Sequence, residues 1–469
     1  MADGAHGPSG SAWLDQLAAR PAGDLAVVDA GAAWTTEELL ARAAGASAWL
    51  DALGVAPGQT VPAILWASPS ALALVVAGAA SGRPIAPLGP LLTPGELEAA
   101  VRSAGGSVLV ADGPSAAVGA AVADASGHRL AVLGPLVEAE PGPASPGEVA
   151  VVLHTSGTAG VPKRVDVRHA PLAARTPVVA GLLDLGPGDR YVTAKGIHHI
   201  GGLGLTLAAL AAGAAVIPLP RYRDEAWAAL APLAPTHGSV VPTMIEDMLG
   251  RGRLRLPSMR LLQYGGAPIR PATLAALLAQ ETALEVVALY GQTEGSPIAS
   301  LSAADHRRGV ADRPDLLRAA GRAAPGVELR IEAGEVLARA DHLFRPGPDG
   351  WLRTGDLGTL DDGYLFLTGR AGDVIVRGGE NVHPLEVEAV LGRHPAVLDV
   401  AVAAVPDDRL GQTVGAWVVT ADGTLDEAEL RSWTRTHLAG FKVPTVWTAV
   451  PAIPRNPNGK IQRRDLPMP

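Results

Sequence analysis

The sequence predicts an α/β protein. A large N-terminal domain of mostly parallel sheets flanked by helices is expected over residues 1–371, and a small α+β domain over 372–469. Three observations carry this. Short apolar runs alternate with Ala/Leu-rich stretches through the first half, the pattern of strands and covering helices in a sheet buried on both faces. At 469 residues the chain exceeds what one compact core organises. Near residues 345–375 the texture changes to glycine turns and charge, in "RPGPDGWLRTGDLGTLDDGYLFLTGRAGD", after which the small domain begins; the large domain is also expected to include a smaller β-barrel-like portion.

Each element has a local reason. "TVPAILWA" (60–67) reads as a buried strand, and "SPSALALVVAGAASG" (68–82) as a helix with proline in its first turn. "SVLVAD" (107–112) and "EVAVVLHT" (148–155) are further strands, separated from each other in part by the surface linker "AEPGPASPG" (139–147). "AAVIPLP" (214–220), "GSVVP" (238–242), "MRLLQYGG" (259–266) and "LEVVALYG" (284–291) continue the strand series. In the small domain, "PLEVEAVLGRHPAVLDVAVAAVPDD" reads as helix then strand, and "TLDEAELRSWTRTHLAG" as a helix.

Composition excludes several classes. Net charge is −9, without a basic cluster, so no nucleic-acid footprint is present. With no cysteine there are no disulfides, thiolate nucleophiles or Cys-based metal sites, which suits a reducing, cytoplasmic setting. "MADGAHGPSGSAWLDQ" lacks the charged and apolar regions of a signal peptide. The uncharged stretches 61–80 and 196–220 are broken by Pro62, Pro69, Gly201, Gly202 and Gly204, so no membrane span is expected.

The chain writes nearly every positive charge as arginine. Its lysines are only Lys163, Lys195, Lys442 and Lys460, and its asparagines only Asn381, Asn456 and Asn458, so each marks a place where Arg or Asp would not serve. Lys163 ends "HTSGTAGVPK" (154–163), a hydroxyl- and glycine-rich loop after a strand, whose backbone N–H groups and hydroxyls suit a phosphate. It does not have the Walker A spacing. "YGQTEG" (290–295) offers an aromatic face, a hydroxyl and a carboxylate directly after a strand. "TGDLG" (354–358) with "GR" (369–370), "RGGENVHPLEVE" (377–388) and "PRNPNGKIQRRDL" (455–466) follow.

In this order and spacing the five motifs resemble the adenylate-forming superfamily of acyl- and aryl-CoA ligases, nonribosomal adenylation domains and luciferases, over about residues 25–466. "GGENVHPLEVE" and "FKVP" (441–444) are similar to acyl- and aryl-CoA ligases in particular. The stretch 334–350 is shorter than in many members, and Leu410 stands where some aryl-CoA ligases carry Trp.

The resemblance implies ATP- and Mg2+-dependent conversion of a small carboxylic acid to an acyl-adenylate, then transfer to coenzyme A. The alternative acceptor is a carrier-protein phosphopantetheine or another nucleophile. By the same resemblance, Thr155, Ser156, Gly157, Thr158 and Lys163 form the phosphate loop, Glu294 holds Mg2+, and Thr293 meets a phosphate oxygen. Tyr290, with Gly291 and Gln292, packs on adenine beside the Gly265–Gly266–Ala267 turn. Asp356 accepts the ribose hydroxyls with Arg370 assisting. Lys460, delivered by the Asn456–Gly459 turn, stands between the acid and the α-phosphate. A compact ammonium fits a gap that a guanidinium is too broad for.

Between the two half-reactions the resemblance implies rotation of the small domain about Gly372. That brings Gly378 and Gly379 to the pantetheine channel, and Phe441 and Lys442 to the nucleotide end of CoA. "GIHHIGGLG" (196–204) supplies a candidate gate, His199, with His198 behind it. His199, Gly202, Thr243, Gly265, Ala267 and Ser296 line the acid pocket, with Val241 and Ile298 nearby. Small and apolar residues dominate that lining, favouring a compact apolar or aryl acid over a dicarboxylate. Lys195 lies in no motif of the family; it either pairs with a substrate acid group or caps a strand.

Overall fold

In a computed structural model, residues 12–155, 162–252, 256–456 and 459–468 are described. Three sheets organise them, of thirteen, six and five strands. The six-stranded sheet holds the parallel strands Val61–Ile64, Ile85–Leu88, Val108–Asp112 and Arg129–Leu133, and ends in the antiparallel pair Val149–Thr155 and Lys163–Arg168. The thirteen-stranded sheet has a parallel centre of Arg190–Thr193, Ala215–Pro218, His237–Val240, Leu261–Gly265 and Glu285–Gln292, with Leu25–Val28 beside it. From Gly295 onward it continues antiparallel.

The two large sheets share one core, to which Ala63, Val151, Leu205 and Leu289 all belong. Helix Pro69–Ala80 is buried along almost its whole length there, as its unbroken apolar sequence demands. Ser68 caps it by accepting from the Ala71 N–H at 3.1 Å, and Pro69 starts it. A second core, including Leu262, Tyr264, Trp227 and Ile245, lies on the opposite face of the thirteen-stranded sheet.

The five-stranded sheet is built from residues 375–449 and packs helices Pro384–Leu391 and Glu427–His437 over Val387, Val402, Val414 and Leu430. Within it, Asp399–Asp407 and Gly411–Val419 run antiparallel in full register. No helix among the described residues is long and apolar enough to cross a membrane.

Candidate active site

The site lies where strands of the thirteen-stranded sheet end. Parallel strands deliver their C-terminal residues to one edge of a sheet, and ligands of open α/β sheets bind there. Strand Leu261–Gly265 runs into Gly266 and Ala267. A Cβ on Gly265 would fall 2.3 Å from the Leu289 carbonyl oxygen, so this close approach admits glycine alone. Strand Glu285–Gln292 carries Tyr290 and Gly291 and turns through Thr293 and Glu294.

Asp356 and Arg370 are directly opposed on neighbouring antiparallel strands, which sets their ion pair. Arg370 Nε donates to Asp356 Oδ1 at 2.7 Å, and the Tyr290 hydroxyl donates to Asp356 Oδ2 at 2.8 Å. Desolvation would lower the Arg370 pKa, but the Asp356 carboxylate outweighs it and the shift is upward. Burial, with Asp356 adding to it, pushes the Tyr290 phenol well above its ordinary value. The carboxylate is thus fixed through both oxygens, each with lone-pair capacity remaining.

Thr155 pairs with Lys163 across the hairpin that flanks the phosphate loop. Ser156, Gly157 and Thr158 lie outside the described residues. Lys163 Nζ stands 3.8 Å from Glu294 Oε1, so the loop's cation and the proposed metal-ligating carboxylate share one place.

The C-terminal tail reaches this edge. A Cβ on Gly459 would lie 2.8 Å from Thr243 Oγ1, and its φ of +76° favours glycine again. Lys460 follows, its N–H bound to Asn456 Oδ1 at 3.0 Å. Lys460 is exposed as a residue, yet desolvation of its ammonium lowers its pKa. Arg370 adds to that shift, while Asp356 and Asp373 oppose it. The lysine therefore shares an electrostatic neighbourhood with the Asp356–Arg370 pair.

Beyond it, Arg463 fastens the tail. It donates to Glu388 Oε1 at 2.7 Å and to the Val402 carbonyl at 2.9 Å, and stands 3.4 Å from Asp373 Oδ2. Asp373 follows Gly372, where a Cβ would meet nothing within 4 Å.

Gly378, Gly379, Phe441 and Lys442 gather elsewhere, on the five-stranded sheet's hairpin and the turn beside it. Arg377 Nη1 donates to the Phe441 carbonyl at 2.6 Å, and Lys442 Nζ pairs with Glu386 Oε1 at 2.7 Å. Leu410 packs on this hairpin, 3.1 Å from a Cβ at Gly378. None of the four bonds to the Asp356 cluster among the described residues.

His199 opens a single π-helical turn, Ile200–Gly204, and its ring lies 4.1 Å from that of His198. Burial pulls the His199 pKa down to about 4, so the pair is neutral near pH 7. Gly202 lies against the Gly196 carbonyl. Arg175 was invisible in the sequence, one arginine among many in a helix. It is fully buried, and donates from Nε to the Ser296 carbonyl at 2.7 Å and from Nη1 to the Gly204 carbonyl at 2.6 Å. It thereby ties the turn after His199 to Ser296.

Gln263 and Ser239 were missed too. Lys195 Nζ donates to Gln263 Oε1 at 2.9 Å, and Ser239 Oγ donates to the same oxygen at 2.6 Å. The rarity of lysine in this chain was the signal available for that cluster.

Residues 14–344 match the model of the AMP-binding enzyme family, and residues 386–460 that of the AMP-binding enzyme C-terminal domain. A feruloyl-CoA synthase from an Amycolatopsis species is 33% identical, over 94% of this chain and 95% of that one. The fatty acid–[acyl-carrier-protein] ligase ScoC of Streptomyces coeruleorubidus is 31% identical, over 94% and 92%. The structure of the amide bond synthetase McbA from Marinactinospora thermotolerans superposes with a TM-score of 0.88 at 29% identity, covering 97% of this chain and 98% of McbA. With both family models matched in order along one chain, this protein belongs to the AMP-binding enzyme family.

Proposed function

We propose that the protein is an AMP-forming carboxylic acid:CoA ligase acting through an acyl-adenylate. The single observation that supports this best is convergence. Gly459 of the tail rests on Thr243, and Lys460 feels the charges of Asp356 and Arg370, the pair that Tyr290 joins.

A carboxylate is a poor acyl donor because oxide leaves badly. Attack of its oxygen on the α-phosphorus forms an O–P bond, breaks the bond to the β-phosphate and expels pyrophosphate. Asp356 receives the ribose hydroxyls while Tyr290 and Arg370 hold it still. Lys460 places its ammonium between the two anionic groups that must approach. At about 4 Å and an effective dielectric near 20, such a charge is worth roughly 4 kcal/mol, on the order of a thousandfold in rate. His199, neutral, closes the pocket without adding charge.

Mg2+ would be held by Glu294, whose hard oxygen suits it, together with the phosphates of ATP. No group of three or more metal-ligating side chains stands among the described residues, so the substrate would supply the remaining ligands. When bound, the ion neutralises polyphosphate charge.

In the second half-reaction the CoA thiol attacks the acyl carbon, AMP leaves and the thiol proton passes to solvent. The charges of Asp356 and Arg370 felt at Lys460, and the absence of bonds from Gly378 and Gly379 to that cluster among the described residues, support assigning this arrangement to the first half-reaction. The small domain, residues 372–469, would turn about Gly372 to begin the second. ScoC, a carrier-protein ligase by name, makes a phosphopantetheine arm the alternative acceptor.

Acid-dependent pyrophosphate release, followed by product analysis with CoA against a holo-carrier protein, tests this reading. Thioester on CoA is the expected result. Pyrophosphate release with thioester only on the carrier would replace CoA as acceptor, and no acid-dependent release would end the proposal.

A further inference from the structure

The faces of a buried parallel sheet are normally apolar, and most of this one is. One level is not. Thr193, Ser239 and Gln263 are register partners on three adjacent strands, forming a polar row across the sheet. Their exposures are 2%, 0% and 1%, so the row is sealed from solvent. It faces the core between the two large sheets, because Leu261, on the same face as Gln263, belongs to that core, whereas Leu262 and Tyr264 belong to the other.

Lys195 completes the row. Its N–H bonds Thr193 Oγ1 at 3.1 Å and its ammonium reaches Gln263 Oε1, with only 7% of the residue exposed. Its stem lies beside Gly201, 3.3 Å from a Cβ there, next to the pocket residue Gly202. No carboxylate pairs with it among the described residues, and desolvation pulls its pKa down to about 7. A buried ammonium without an anion is costly, and one of its three donors is used by Gln263.

The row sits below the site. Gln263 precedes Gly265 by two residues, which at about 3.3 Å per residue puts it roughly 6–7 Å deeper than the strand end. An acid held by its carboxyl group at Lys460 would have to extend in that direction for its far end to reach Lys195.

We propose that Lys195, held by Gln263 and Ser239, is a specificity-determining residue that selects an acid with an accepting oxygen, hydroxyl or anionic, at the end remote from its carboxyl group. This rests on the adenylation reading and narrows it. The upper lining remains small, so the body of the acid is compact; the floor supplies the donor for its far end.

The test is ATP–pyrophosphate exchange by the full chain with acids of matched size: 4-methyl-, 4-hydroxy- and 4-carboxybenzoate, and straight-chain acids ending in methyl or carboxylate. Wild type is expected to favour an oxygen-ended acid over its methyl-ended twin by about 10²-fold or more in kcat/KM. Lys195→Met should collapse that ratio to within about threefold while methyl-ended acids keep or gain activity. Gln263→Leu should lower the ratio in the same direction, which keeps the test open if the methionine variant folds poorly. A wild type that prefers methyl ends, or a ratio unchanged in both variants, overturns the inference. Exchange with no acid at all would sink the adenylation reading and this inference together, whereas exchange indifferent to the far end sinks the inference alone. The hydroxyl and carboxylate arms then tell which oxygen the floor accepts.

Discussion

Gly459 rests on Thr243 with space for a hydrogen and none for a methyl, since a Cβ there would stand 2.8 Å from the threonine hydroxyl oxygen. The tail is therefore seated on Thr243 by contact. Gly459→Val should push Lys460 out of place, and displacement of about 1 Å costs on the order of 10²-fold. Acyl-adenylate formation is expected to fall by about that factor while thioester formation from supplied acyl-adenylate is spared; equal losses in both would disprove the seating.

Lys460→Ala removes the charge and leaves the seat. Acyl-adenylate formation should drop by roughly 10²–10³. Single-turnover assays of the two half-reactions read the split, and a variant that keeps the first half-reaction would remove Lys460 from the mechanism.

Tyr290→Phe deletes the bond to Asp356 Oδ2 and leaves Arg370 on Oδ1. A hydrogen bond to a charged group is worth about 1.5–3 kcal/mol. The KM for ATP should therefore rise by about tenfold or more, with kcat changed little, as measured by initial rates over a range of ATP. An unaltered KM would mean that Arg370 alone orients the carboxylate.

Gly372→Pro restricts the backbone at the proposed hinge without meeting a neighbour, because that position opens on empty space. Adenylation should survive and thioester formation should fall by at least about tenfold. Intact thioester formation would move the hinge elsewhere.

Stability should decline in mild acid. Burial lowers His306 to about 4, and the neutral ring donates from Nδ1 to the Ser302 carbonyl at 2.7 Å while Nε2 accepts from the Tyr264 hydroxyl at 3.0 Å. His154 and His199 are lowered to about 4 as well. Between pH 6.5 and 4 the unfolded chain binds protons that the folded chain refuses, so stability is full above 6.5 and lost as pH falls through that window. His306 alone would contribute on the order of 3 kcal/mol to the loss. Urea unfolding at pH 7, 5.5 and 4.5 should show it, with a shallower decline in His306→Gln; parallel curves for the two proteins would refute the assignment.

Much of the scaffold could be read from one dimension because its signals are local. Pro69 after Ser68, or an unbroken run such as "VAVVLHT", fixes an element regardless of what lies far along the chain. The residues of the candidate site were legible for a second reason: Asp356, Arg370, Tyr290 and Lys460 sit in short motifs whose order was informative. Arg175, Ser239 and Gln263 were not, since their importance arises from register and helix packing between segments far apart along the chain. Ser239 and Gln263 become a pair only when two strands align, and Arg175 matters only because a helix carries it to the backbone of Ser296. Lys195 was conspicuous by its scarcity, but what it touches could not be counted from spacing.

Arg463 leaves the stretch behind Lys460 no slack. Bound to Glu388 and Val402 of one body and beside Asp373 at its root, the tail behaves as a cantilever and not as a tether. Any movement of Lys460 during turnover would therefore carry the whole lobe with it, since the tail is fastened too close behind the lysine to fray.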